Sequence, residues 1–122
     1  VGYGWVIVGL LLMGLAGIEV VPFSIALHAL TAGAIGAMTL GMMCRVSLGH
    51  TGRNLIAGKL TTLSFILMQA SALLRVFGPV MMPDQTQLWI IASAFLWSIC
   101  FALYILVYTP ILWQPRPDGR PA

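Results

Sequence analysis

The chain has 122 residues and only nine formal charges, six Lys or Arg and three Asp or Glu, whereas about 25% of a soluble domain's residues are charged. With 60% apolar residues and a mean hydropathy of +0.99, it has too little polar surface to meet water all round. That excludes an ordinary soluble domain and predicts an all-α polytopic membrane protein, a bundle of about four transmembrane helices with the lipid bilayer as its main partner. The pI of 9.3 does not indicate nucleic acid. The basic residues sit at the ends of apolar runs, where they face headgroups, and no basic face with interleaved aromatics is present.

The first span is expected at about residues 1–18, free of charge and just long enough for a bilayer at about 1.5 Å per residue. Glu19 and Pro22 mark a tight exit and re-entry, since Pro suits a first helical turn. The second span covers about 23–44 and is interrupted chemically only by His28. Arg45 and a polar turn through Ser47, Gly49, His50, Gly52 and Asn54 follow, with Thr51 or Asn54 placed to cap the next helix. The third span, about 55–77, carries Lys59 and Arg75 near its ends, where both can snorkel. Gly78-Pro79 and Pro83-Asp84 delimit a loop. A fourth span is expected at about 87–109, ended or kinked by Pro110. Residues 1–113 thus read as one four-helix transmembrane module, and 114–122, with three prolines, as an extended tail. No basic region or cleavage site of a secretory signal precedes the first span. The missing initiator Met reads as a segment of something longer.

Basic residues set the direction. Arg45, Arg53, Lys59, Arg116 and Arg120 fall on one side and Arg75 alone on the other. This places the middle loop and both termini in the cytoplasm, with Glu19 and Asp84 outside. Ala29, Gly33, Ala37 and Gly41 recur every four positions, a stripe of small residues that lets another helix approach closely. Cys44 and Cys100, 56 positions apart and in no CxxC, read as small packing hydrophobes, with copper ligation by Cys44 beside Met42 and Met43 as the alternative. Trp97, Phe101, Tyr104 and Tyr108 form a helical stripe of the kind used for packing and interfacial belts.

Two histidines are the candidate metal ligands. His28 lies about 9 Å into its span. A titratable ring at that depth is either ligated or hydrogen-bonded across helices. On an α-helix its face carries Ala32, Ile35, Thr39 and Met42. His50 sits in the loop, where it needs no partner or binds a metal. About 22 residues of continuous helix separate the two by about 33 Å, so they cannot share one iron. Arg75 lies near His28 and is placed to pair with Glu19 or Asp84. No nucleophile–base pair, carboxylate pair or phosphate loop is present, and Gln69 and Lys59 give no specific proton relay.

The stretch from His28-Ala29-Leu30-Thr31 through Gly41-Met42-Met43 into Arg45 and Ser47-Leu48-Gly49-His50-Thr51-Gly52-Arg53 resembles the signature region of the NnrS family. Ala72-Leu73-Leu74-Arg75-Val76 and the ending Tyr108-Thr109-Pro110 with Arg116-Pro117-Asp118-Gly119-Arg120 are similar to that family's C-terminal third. The resemblance implies a bacterial inner-membrane protein of roughly twelve spans in all, with haem and copper, linked to nitric oxide metabolism and nitrosative stress. It makes His28 and His50 metal ligands and Arg75, Arg45 and Arg53 cofactor-binding residues, Arg75 through haem propionates. The two arginines of the loop also read as topology determinants. A second axial ligand would come from further helices of a longer chain or from another protomer. The leading reading is a metal-binding module that handles or senses nitric oxide. Its alternative is a structural or transport bundle without cofactor, in which His28 hydrogen-bonds across helices. Turnover of nitric oxide, which needs electron and proton input, ranks third.

Overall fold

In a computed structural model, which describes residues 2–117 and 119, four helices follow one another: α1 (Gly2–Gly17), α2 (Phe23–His50), α3 (Lys59–Met81) and α4 (Thr86–Trp113), with a single 3₁₀ turn at Pro83–Gln85 before α4. Asp118, Arg120 and the last two positions of the expected tail lie outside the described residues, as does Val1. No strand occurs among the described residues. Three helices, α2, α3 and the segment Pro83–Trp113, are long and apolar enough to cross a membrane, while α1 is a shorter apolar helix of 16 residues.

Neighbours run antiparallel along the chain, and α2 is the centre of the bundle. Against its N-terminal half lie α1, through Trp5 at Gly33, and α3, through Arg75 at His28. Its C-terminal half meets α3 and α4, with Leu40 and Cys44 in one buried cluster with Met68, Cys100 and Tyr108. The α3–α4 pair is tied by Ser71 Oγ donating to the Ser93 carbonyl at 2.7 Å and by the Thr61 and Tyr108 hydroxyls at 3.2 Å. The small-residue stripe does face neighbours. Ala29 and Ala37 are buried, and a Cβ at Gly33 would lie 2.5 Å from Cδ2 of Trp5. Trp5 is held in turn by its indole N–H donating to Gln69 Oε1 at 2.8 Å. Both cysteines are buried and free.

Two helix ends close in the same way. After α1, Val20 N–H bonds the Leu15 carbonyl and Glu19 N–H the Ala16 carbonyl. After α2, Arg53 N–H bonds Leu48 and Gly52 N–H bonds Gly49. These paired 6→1 and 5→2 bonds form a Schellman motif, which needs one left-handed residue. Gly52 supplies it with φ 66° and Glu19 with φ 61°.

Several boundaries differ from the sequence expectation. α2 runs on to His50, so the polar turn begins one and a half turns later. Residues 53–58 are irregular, and α3 starts behind Gly58. Thr51 does not cap it, because its hydroxyl turns back to the Ser47 carbonyl at 2.7 Å. Gly78-Pro79 does not open the loop; α3 continues to Met81, with Gly78 seated against the Trp89 ring. Pro110 lies inside α4, whose last turn is held by Arg53 Nη1 donating to the Ile111 carbonyl at 3.2 Å. A helical Pro forfeits one backbone bond, and both helices nevertheless continue past their proline.

Candidate functional site

Within α2 the α-helical spacing is broken once. Residues Ala29–Ile35, immediately after His28, form a π-helical segment. Its i→i+5 bonds accommodate an extra residue, and such insertions recur at functional sites. One added residue rotates everything beyond it by about 100°. The consequence is visible in the buried face. Ile35, Thr39 and Met42, expected on the His28 face, are exposed, and Gly36, Leu40 and Cys44 are buried instead. Of the expected neighbours only Ala32 stays beside the ring. Gly36 now faces the Met68 sulfur and the Trp97 indole, where a side chain would not fit comfortably.

His28 sits at the start of this segment and meets Arg75 of α3, with Nε2 2.9 Å from Nη2. Guanidinium has donors only. Nε2 therefore accepts, and the ring carries its proton on Nδ1. Arg75 thus turns to His28, whereas the sequence pointed to Glu19 or Asp84. The pair lines a cavity of about 370 Å³ between α2, α3 and α4, together with Thr31, Ser71, Ser93 and Trp97. The outer rim on α4, Ala94, Trp97 and Ser98, is exposed, so the cleft opens sideways between helices. A cation, an imidazole and several hydroxyls converge there in an otherwise apolar bundle. Such a lining suits a ligand with an apolar body and an anionic edge.

The other sequence-predicted residues lie at the opposite end. His50 is the last residue of α2, and the continuous helix Phe23–His50 keeps it far from His28. Arg53 reaches across to α4, donating from Nη1 to Ile111 O and from Nη2 to Gln114 Oε1 at 3.0 Å. Arg116 donates to the His50 carbonyl at 3.0 Å. Arg45, His50 and Arg116 border one shared cavity. The structure therefore joins His28 with Arg75 and joins Arg45 with His50, and keeps the two groups apart. No cluster of three or more His, Cys, Asp or Glu side chains occurs among the described residues.

The π segment and the hydroxyl lining of the cleft were missed by sequence reasoning. Ser71, Ser93 and Ser98 are ordinary small residues in apolar runs. Only the serine density of α3 and α4 hinted at a polar seam. The aromatic stripe of α4 was legible and packs as expected: Trp97 contacts Phe101 at 4.4 Å between centroids, and Tyr104 stacks on Tyr108 at 4.7 Å.

The family described as NnrS protein matches the chain over residues 1–116. No curated protein matches the chain significantly. No solved structure does either.

Proposed function

The chain belongs to the NnrS family, and on that premise we propose that it is a membrane module of a haem- and copper-containing protein that handles or senses nitric oxide, with the His28–Arg75 cleft as its haem-binding part. The observation that carries this reading is the pairing of an imidazole with a guanidinium at the mouth of an intramembrane cleft. Of this donor set, His28 would supply one nitrogen ligand to the iron and Arg75 would anchor a carboxylate. Haem would supply the iron that binds nitric oxide. Everything else falls to the protein's own side chains. Nε2 has a single in-plane lone pair, which serves either Arg75 or a metal. Were His28 to hold a metal, Arg75 would be left as the donor fork for an anionic edge. Trp97 and Ala94 keep the cleft's side apolar, so a small lipid-soluble gas enters from the bilayer without crossing water.

A second protein ligand to the iron would come from another segment or protomer, since His50 stands about 33 Å away along one helix. Copper ligands would likewise be completed from outside these residues. The α4 surface has room for such partners, because Leu88, Ile91, Phe95, Ile105 and Leu106 are all exposed along it. We further propose an inner-membrane location with both ends of the segment in the cytoplasm. In a chain without Cys44 and Cys100, a cysteine at position 50 should then react with an impermeant reagent from the cytoplasm and one at 84 from outside. The reverse pattern would invert the topology and move the cleft to the inner leaflet.

One observation also favours the cofactor-free bundle, because the His28–Arg75 bond is itself the interhelical hydrogen bond that such a bundle requires. His28→Gln separates the two readings. Glutamine keeps an acceptor for Arg75 but is no haem ligand. If His28 ligates iron, the variant stays folded and loses a Soret component in the purified membrane protein, while His50→Ala keeps it. An unchanged haem spectrum in His28→Gln makes the histidine a packing residue.

A further inference from the structure

The end of the bundle opposite the cleft carries a second cavity, of about 370 Å³, whose lining is divided between two chemistries. Arg45, His50 and Arg116 form one half, and Met42, Val46 and Leu55 the other. Arg45 and His50 are exposed. Arg116 is steadied by its bond to the His50 carbonyl, which fixes its guanidinium at the α2 terminus. The apolar half continues away from the charges. Ile35, Met38, Met42 and Val46 are all exposed, and at spacings of three and four they make one track on α2. Eleven residues of helix carry it about 16 Å toward the middle of the bundle. Among the described residues charge is also divided between the ends. Arg45, Arg53, Lys59 and Arg116 gather here, while the carboxylates among the described residues, Glu19 and Asp84, lie in the connections at the His28 end.

We infer that this cavity is a binding site for an anionic phospholipid, with the headgroup phosphate held by Arg45, His50 and Arg116 and one acyl chain laid along the Val46–Met42–Met38–Ile35 track. A guanidinium fork matches phosphate oxygens, and even a neutral imidazole offers one N–H donor. Basic pockets at the membrane edge select acidic headgroups in this manner. The apolar half of the lining is what commits the site to a lipid: a free phosphate would leave Met42, Val46 and Leu55 unused. This inference does not depend on haem at the other end.

The test is retention of lipid by the purified protein in detergent, read by native mass spectrometry after exchange into equal amounts of phosphatidylglycerol and phosphatidylcholine. One phosphatidylglycerol per chain should be retained in preference. Arg45→Gln should cut that preference about fivefold, the effect of one cation at a membrane surface. Lys59→Gln removes a charge from the same end but outside the cavity, and should leave it nearly unchanged. Met42→Ser keeps every charge and should still lower retention. Equal losses from Arg45→Gln and Lys59→Gln would reduce the effect to general surface charge and overturn the site. Displacement by excess inorganic phosphate would overturn the lipid assignment, as would equal retention of phosphatidylcholine. Helical content and melting temperature of each variant show that a loss reflects binding and not unfolding.

Discussion

The two halves of α2 belong to one helix yet are built on different terms. The half that follows His28 is wound as a π segment, is covered by α1 and α3, and leaves a cleft where α4 stands away. The half that ends at His50 is regular, fits its neighbours through Leu40 and Cys44, and ends in a Gly-closed motif at the membrane edge. Each half carries a histidine with an arginine near it, but the contacts differ in kind. At His28 the ring itself takes the arginine's proton donor. At His50 only the backbone carbonyl does, and the ring is left to the cavity. The first contact ties two helices together in the interior, whereas the second closes a helix end.

The comparison breaks first at the glycines. Gly33 in the π half faces Trp5, where a Cβ would lie 2.5–2.8 Å from three ring atoms. Trp5 cannot easily retreat, being buried and tethered to Gln69. Gly41 in the regular half would place its Cβ in ordinary contact, 3.8 Å from Phe65. Gly33→Ala should therefore cost about 1–3 kcal/mol through overpacking, and Gly33→Leu more. Gly41→Ala should be neutral or stabilising by up to about 1 kcal/mol, through helix propensity. Melting temperatures of the two variants in one detergent check this. Similar losses at both positions would mean that the halves are packed alike.

What the sequence disclosed, and what it withheld, follows the same division. Four apolar helices and the small-residue stripe were legible because composition and period report directly on apolar character and helix approach. The π segment was not. Nothing in Ala29–Ile35 marks it, and beyond it the rotated face, Gly36, Leu40 and Cys44, is the one that packs on α3 and α4. From one missed residue, three expected neighbours of His28 were misplaced. The Arg75 partner was equally hidden, since it lies 47 positions away and the nearer chemical guess was a carboxylate. By local propensity Gly78-Pro79 and Pro110 read as helix ends, whereas both helices run past them, with Trp89 on Gly78 and Arg53 on Ile111. Whether His28 and His50 are metal ligands is decided by chemistry that neither sequence period nor helix geometry encodes.

A second test bears on how the helices stop. Glu19 and Gly52 occupy equivalent left-handed positions, φ 61° and 66°, but only glycine is free of the steric cost, about 1 kcal/mol for a side chain in that conformation. Gly52→Ala should destabilise by about that amount, and Glu19→Gly should stabilise by a similar or smaller one. The opposite signs are the point of the pair. If Glu19→Gly destabilises, the carboxylate is making a contact outside these helices that outweighs the backbone strain, which would itself locate a partner at the His28 end.

The smallest effect concerns the regular half, where Ser47 of α2 and Tyr104 of α4 share a hydrogen bond at 2.9 Å between hydroxyls. It is tempting to rate this highly, as an unpaired hydroxyl in hydrocarbon is costly. Interhelical hydrogen bonds within membranes average only about 0.6 kcal/mol by double-mutant cycles, however, because the separated helices find other partners. Tyr104 also has a second source of stability, its ring stacked 17° from parallel on Tyr108, which Tyr104→Phe leaves in place. Ser47→Ala, Tyr104→Phe and the double variant should therefore give a coupling of about 0.6 kcal/mol, read from unfolding in mixed micelles. A coupling above about 2 kcal/mol, beyond the usual ceiling for such bonds, would mean that this contact orders the regular half. The close packing of Leu40, Cys44 and Met68 would then be secondary to one pair of hydroxyls.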